Sequence, residues 1–274
     1  MFHPRLGCSS ISFRHLDLPD ALQTMAGLGF EEIDLGALPG VCNHVPYELG
    51  EEDVHAVAGQ IAASGLKVRS VNGDIGDLNA TPDAGTQRGR ERHLEMLLAL
   101  AVETGANALV LPCGALSREP VQGLDADLDA VASALCGAQR RADAMGIELW
   151  TEALHYFRLC SDLDRAGRLV GRLAGTGVGT VMDFSHIVAS GGDPLDFVER
   201  FHATITHVHL RDAVPGNINL SLGNGDADFA AGLSALKTKG YTGHFSLELE
   251  TRDVADGERA TAAAQAATHI STLI

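Results

Sequence analysis

Eight short apolar, β-branched runs alternate with longer amphipathic stretches along this chain, and no other feature constrains the fold so tightly. The strand-like runs fall at about 5–13, 31–36, 67–75, 108–114, 147–154, 179–186, 205–212 and 243–250. Helical patterns fill the intervals at about 17–28, 51–64, 84–104, 124–145, 161–173, 194–202, 227–239 and 256–273. Strands separated by helices pair in parallel and carry the helices on the outside. Several helical stretches close on a glycine, at Gly29, Gly65, Gly105, Gly146 and Gly240, the residue best suited to ending a helix. Eight such units in 274 residues fit one (β/α)8 TIM barrel, which needs about 250 residues. An open doubly wound sheet would instead need a glycine-rich phosphate turn after its first strand. That turn reads SFRHLDLPD, without glycine. No Pro/Ser-rich linker or compositional break divides the chain, so a single domain over 1–274 is expected.

The last four strands each bring a metal-type side chain to the C-terminal end. Strand five ends at Glu152 in IELWTE, and strand six carries Asp183 and His186 in VGTVMDFSH. Strand seven carries His209 in ITHVHLRD, and strand eight carries Glu248 in HFSLELE. Residues two apart in a strand share a face. Glu148, Trp150 and Glu152 therefore point together, as do His207, His209 and Arg211, and His244, Ser246, Glu248 and Glu250. Leu149, Val208, Leu210, Leu247 and Leu249 take the opposite face, toward the helices. Charged groups inside a barrel are costly unless paired or metal-bound, whereas at the C-terminal mouth they can hold an ion. An oxygen-and-imidazole ligand set suits Mn²⁺, Mg²⁺, Co²⁺ or Zn²⁺ and does not choose among them.

Each of these residues also has a plainer reading. Asp183 can cap the following helix, and Trp150 can fill the barrel core instead of stacking on a sugar. His155, three residues past Glu152, is either a loop histidine or a substrate contact, and His44 is a weaker candidate. The long loops 37–50 and 213–226 follow strands two and seven on the same face as the ligands, where barrels place their lids and sites.

Composition removes several function classes. Thirty-six acidic against 20 basic residues give a net charge of −16, which disfavours a nucleic-acid partner. Five cysteines without a Cys-x-x-Cys pair indicate buried, reduced thiols in a cytoplasmic protein. The N-terminus MFHPRLGCSS has no apolar signal region, and no apolar run approaches the roughly 20 residues that cross a bilayer.

Over essentially its whole length the chain resembles the xylose isomerase-like barrels, which include sugar-phosphate isomerase/epimerase relatives and class II AP endonucleases. The matching pieces are Glu152 in WTEALHYF, Asp183 and His186 in MDFSHIVASGGDP, and His209 in HVHLRDA, with Gly223-Asn224-Gly225 and Glu248 in GHFSLELE. The resemblance implies that Glu152, Asp183, His209 and Glu248 hold one Mn²⁺ or similar divalent ion. It implies that His155 and His186 contact substrate. Arg211, where relatives often carry Lys, would bind a substrate oxygen or phosphate. In family epimerases the metal acidifies the C–H beside the substrate carbonyl and stabilises an enediolate. One Glu removes the proton and the other returns it from the opposite face, roles that fall here to Glu152 and Glu248.

The resemblance therefore implies a metal-dependent isomerase or epimerase acting on a ketose or cyclic keto-polyol. A lyase on the same metal site, either a dehydratase or a 3-keto-glycoside β-eliminase, needs the same residues. A non-catalytic sugar-binding subunit is a further alternative. The endonuclease branch holds three zinc ions and needs histidines on strands three and four and an Asp-x-His after strand seven. Here those places read SVNGDIGDLN, LPCGAL with Cys113, and Asn217 with Asn219. A small-molecule partner is expected, with no nucleic acid and no membrane. Family relatives are often dimers or tetramers, and the sequence selects no homo-oligomeric state.

Overall fold

Capping aspartates and terminal glycines set the helix limits. The computed structural model describes residues 2–274. Its strands are β1 (Leu6–Ser9), β2 (Glu32–Ala37), β3 (Lys67–Gly73), β4 (Ala108–Pro112), β5 (Glu148–Glu152), β6 (Gly179–Asp183), β7 (Ile205–Leu210), β8 (Asp212–Val214), β9 (Asn217–Leu220) and β10 (His244–Leu247). The α-helices are α1 (Leu18–Leu28), α2 (Glu51–Ser64), α3 (Ala84–Thr104), α4 (Leu124–Ala144), α5 (Leu163–Arg172), α6 (Phe184–Ala189), α7 (Pro194–Phe201), α8 (Phe229–Thr238) and α9 (Arg259–Ser271). Strands β1 to β7 and β10 pair in parallel and close into a barrel, with β10 returning to β1. The chain is a single-domain (β/α)8 TIM barrel, as its periodicity implies.

Asp17, Asp83, Asp162, Asp193 and Asp228 each accept backbone N–H groups at a helix start. A carboxylate there satisfies orphan donors and faces the positive end of the helix dipole. At the other end, Gly29 (φ 95°) and Gly105 (φ 70°) take the left-handed turn that a side chain would strain.

Three segments differ from the sequence expectation. The first strand stops at Ser9, and Ser10–Phe13 winds into a 3₁₀ turn. The turn persists because its hydroxyls replace ladder bonds. Ser10 Oγ accepts from Gly36 N, and Ser12 Oγ bridges Leu247 O and Leu249 N. The sixth strand stops at Asp183, which caps α6, so His186 sits on a helix and not on a strand. The long loop 213–226 contains the β8–β9 hairpin. Asp212 anchors it by accepting the backbone N–H groups of Gly223, Gly225 and Ala227. A side chain at position 225 would collide with the Asp212 carboxylate and the Ala213 backbone, which accounts for the second glycine of Gly-Asn-Gly.

The main core lies between strands and helices and contains Leu149, Val208, Leu210, Leu247 and Leu249, as the alternation implies. A second, smaller cluster of Ala108, Val110, Trp150 and Val181 fills the barrel interior. Trp150 is core there: it stacks on His207 (centroids 5.3 Å apart) and donates to Glu148 Oε2 (2.8 Å). The five cysteines are free thiols, with Cys8, Cys42, Cys113 and Cys160 buried. Among the described residues no helix is long and apolar enough to cross a membrane.

At the N-terminal end of the barrel, Glu32 meets Arg69 Nη2 (2.6 Å) and His244 Nδ1 (2.7 Å). Burial pushes the Glu32 carboxyl up, but hydrogen bonds from His244 and Arg69 outweigh it and hold the group below its ordinary value. A carboxylate depressed on folding stabilises the protein above its unfolded pKa of about 4.3, and loses that contribution as pH falls through the folded value. Glu32→Gln should therefore cost about 1.5–3 kcal/mol at neutral pH, the range for hydrogen bonds to a charged group. In urea denaturation the gap to the parent protein should close as the buffer is taken below about pH 4.

Candidate metal centre

Strand register brings the ligand-type side chains to one depth. Asp183 pairs with His209, and His209 pairs with Ser246 two residues before Glu248. Glu248 lies just past β10, yet its N–H still donates to Leu210 O (3.2 Å), so the chain has not turned away. Glu152 ends β5. One ligand atom from each of Glu152, Asp183, His209 and Glu248 lies within 4.8 Å of the others. His209 Nδ1 is central to them, 3.6 Å from Glu152 Oε1 and 3.7 Å from Glu248 Oε2.

The two oxygens of Asp183 differ in their surroundings. Its Oδ1 accepts from Ser185 N (2.6 Å), Ser185 Oγ (2.6 Å) and His186 N (3.1 Å), capping α6. Its buried Oδ2 finds no hydrogen-bond partner among the described residues, nor does His209 Nδ1, and His209 Nε2 has only the long 3.5 Å approach of Asp34 Oδ2. Buried polar atoms without partners cost about 1–3 kcal/mol each. A cation among these atoms would remove that cost, so the residues present fit a divalent metal.

Electrostatics point the same way. Burial, with Glu152 and Asp183 adding, pushes Glu248 up to about 8, and burial also raises Glu152. Burial opposes a charge on His209, but Glu248, Asp34 and Glu152 outweigh it and hold that imidazole well above its ordinary value. These shifts favour the protonated forms while no cation is among the ligand atoms, and metal binding would reverse them.

His155 and His186 stack at the rim with centroids 3.9 Å apart. The backbone N–H of Phe157 donates to His155 Nδ1 (3.3 Å), and that of Tyr156 donates to His186 Nδ1 (3.1 Å). Burial first, then neighbouring cations, hold both rings well below the ordinary histidine pKa, so they are neutral. A neutral ring that accepts at Nδ1 carries its hydrogen on Nε2, so the 3.4 Å approach of Arg211 Nη2 to His186 Nε2 is a contact and not a hydrogen bond. Both Nε2 atoms lie 3.8 Å from Glu152 Oε2. Glu152, His155 and His186 are close enough to share an ion, but an Nε2 that carries hydrogen donates and does not ligate.

Arg211 is fully buried behind them. Its Nε donates to Ser185 Oγ (3.0 Å), and its Nη atoms lie 3.4 Å from Glu250, 3.6 Å from Asp183 and 3.8 Å from Glu248. These groups open into a cavity of about 290 Å³ bordered by Val41, Leu116, Phe157 and Arg158, at the small end of ligand pockets. The structure therefore gathers Glu152, His155, Asp183, His186, His209, Arg211 and Glu248. His44 stands apart, with Nε2 3.2 Å from Leu16 O.

Sequence reading missed Asp34, Asn72 and the Asp74–Arg158 pair (2.6 Å). Asn72 Nδ2 lies 3.5 Å from Glu248 Oε1. Asp34 Oδ2 meets His207 Nε2 (2.8 Å) and His209 Nε2 (3.5 Å). Burial raises the Asp34 carboxyl, but His207 and His209 outweigh it and keep it well below its usual range. The signal for Asp34 was an acid between Ile33 and Leu35 in the middle of a strand, a place where an unpaired charge is costly.

The sequence profile of the xylose isomerase-like TIM barrel family matches residues 22–273. No curated protein is significantly similar to the chain in sequence. Solved structures of the same fold include the IolI protein with a bound zinc atom, at a TM-score of 0.79 and 17% identity, covering 98% of this chain and 99% of that one. An L-ribulose 3-epimerase superposes with a TM-score of 0.77 at 20% identity, covering 98% and 93%. The 3-keto-D-glucoside 4-epimerase YcjR from E. coli gives 0.75 at 18%, covering 96% and 99%. At such identities the likeness shows a shared fold.

Metal analysis by mass spectrometry after Mn²⁺ loading should find about one ion per chain, since one closed cluster offers the ligands. Asp183→Asn and His209→Ala should each lose it. Protein that stays metal-free under every loading condition would rule the centre out.

Proposed function

Since the chain belongs to the xylose isomerase-like TIM barrel family, we propose that it is a metal-dependent isomerase or epimerase of a ketose or cyclic keto-polyol. One observation carries this reading. Glu152 and Glu248 come from strands three apart around the barrel, and both carboxylates approach His209 Nδ1, at 3.6 and 3.7 Å. Carboxylates reaching one point from two sides are what removal and return of a proton on opposite faces of a carbon require. The names of the epimerase neighbours support the same class.

Glu152, Asp183, His209 and Glu248 would hold the ion. When bound, a divalent ion supplies positive charge beside the substrate carbonyl and so makes the neighbouring C–H more acidic. Mn²⁺ suits this oxygen-rich set, and the zinc atom bound in the IolI neighbour supports Zn²⁺ as an alternative. The chain's own groups supply the rest. One Glu takes the proton from the carbon next to the carbonyl, and its partner delivers a proton to the other face. His155 and His186 present Nε2–H donors beside Glu152 and bind substrate hydroxyls there. Arg211 offsets the charge of Glu248 and Glu250 and donates to a substrate oxygen. The buried floor excludes water from the exchanging carbon.

The test is deuterium exchange. Mn²⁺-loaded protein, incubated in D₂O with a panel of ketoses and keto-polyols, should place deuterium on the carbon beside the carbonyl of its substrate. With metal saturating and ion content verified, Glu152→Gln and Glu248→Gln should each slow turnover by about 10²–10⁴-fold, the usual contribution of a general acid or base. A Gln variant with full metal and full turnover would remove that residue from proton transfer. Release of water or an aglycone alongside exchange would assign a lyase on the same site. Absence of exchange across the panel in fully loaded protein would favour a sugar-binding subunit.

A further inference from the structure

We infer that Asp34 is a positioning residue that fixes which ring nitrogen of His209 faces the candidate metal centre. The inference rests on His209 being a ligand, as proposed above, and assigns a role to a residue on the far side of the barrel. Asp34 is 1% exposed on β2, and β2 and β7 are not neighbours in the barrel. Its carboxylate therefore spans the lumen. Oδ1 accepts from Ser70 Oγ (2.8 Å), which sits beside it in register on β3. Oδ2 turns to β7, 2.8 Å from His207 Nε2 and 3.5 Å from His209 Nε2.

A carboxylate only accepts hydrogen bonds, so each imidazole nitrogen facing it must carry hydrogen. For His209 that keeps a hydrogen on Nε2 and makes Nδ1 the nitrogen whose lone pair a metal would take. Nδ1 is the atom nearest Glu152 and Glu248. Facing two carboxylates, Nδ1 needs positive charge beside it, and a metal ion there would be met by the Nδ1 lone pair. Metal-binding histidines generally donate their second ring nitrogen to a carboxylate or carbonyl, which fixes tautomer and ring orientation.

Asp34 is itself held from two sides. Ser70 fixes one oxygen, and His207 fixes the other. His207 is in turn clamped between the face of Trp150 and an edge-on contact with His209 (centroids 5.2 Å, 90°). A plain packing role would be served by an apolar residue, because the surrounding lumen is filled by Val110, Trp150 and Val181. A buried acid reaching two histidines across that lumen is an expensive way to fill space.

Two measurements test the assignment, and the first needs no variant. In Zn²⁺-loaded protein with ¹⁵N-labelled histidine, NMR should show His209 with a slowly exchanging hydrogen on Nε2 and the metal-shifted resonance on Nδ1. Metal on Nε2 would overturn the inference. In the second, Asp34→Asn should weaken Mn²⁺ and Zn²⁺ binding roughly 10–100-fold in chelator competition, the usual effect of losing such a partner. The rise in melting temperature on metal addition should shrink with it. A merely structural Asp34 would lower the melting temperature of metal-free and loaded protein alike and leave affinity unchanged, which would also overturn the inference. Failure of the parent protein to bind any ion would instead sink the metal reading on which this one stands. A variant that does not fold leaves the NMR assignment to decide.

Discussion

The convergence of Glu152, Asp183 and Glu248 on one imidazole is the constraint around which the C-terminal half of this barrel is arranged. Three carboxylates in a buried space repel one another and resist leaving water. The surroundings answer that repulsion with positive charge and directed hydrogen. Arg211 is buried behind the cluster within 4 Å of Asp183, Glu248 and Glu250. The start of α6 takes one oxygen of Asp183. His155 and His186 stay neutral and turn Nε2 toward Glu152. The remaining demand is for a cation among the ligand atoms themselves.

The barrel meets that demand because neighbouring parallel strands advance in register. Side chains two apart point the same way, so the end of each strand delivers one inward group at nearly the same height. Local devices then protect the rim. Asp212 wraps the Gly223-Asn224-Gly225 turn around its carboxylate and holds the β8–β9 hairpin beside α6. Arg158 ties the segment after β5 to Asp74 and to Gly114 O, linking three loops around the cavity. Below the site the lumen changes character: Trp150 and small aliphatic residues fill it, and Glu32, Arg69 and His244 close the N-terminal end.

Most of the fold and much of the cluster could be read from sequence because both rest on short-range patterns. Period-two alternation separated Leu149, Val208 and Leu247 from Glu152, His209 and Glu248 before any coordinates. The errors fell where side chains compete with the backbone ladder. Ser10 and Ser12 end the first strand early, and Asp183 ends the sixth, which moves His186 onto a helix. The cap uses one oxygen of Asp183 and leaves the other without a hydrogen-bond partner, so capping does not exclude a ligand role. Asp34 escaped notice because its partners His207 and His209 lie some 170 positions away, beyond the reach of any local pattern.

By itself, the sequence determined the alternation of strand and helix, the closure of eight units in one domain, and the identity of the four side chains at the strand ends. Each follows from local periodicity and capping chemistry that survive whatever the rest of the chain does. Only the tertiary structure decided which nitrogen of His209 faces the carboxylates, which oxygen of Asp183 is spare, and that Asp34 reaches across the lumen to join them. Those choices depend on barrel closure, which sets distances between strands that are not neighbours in sequence or in the sheet.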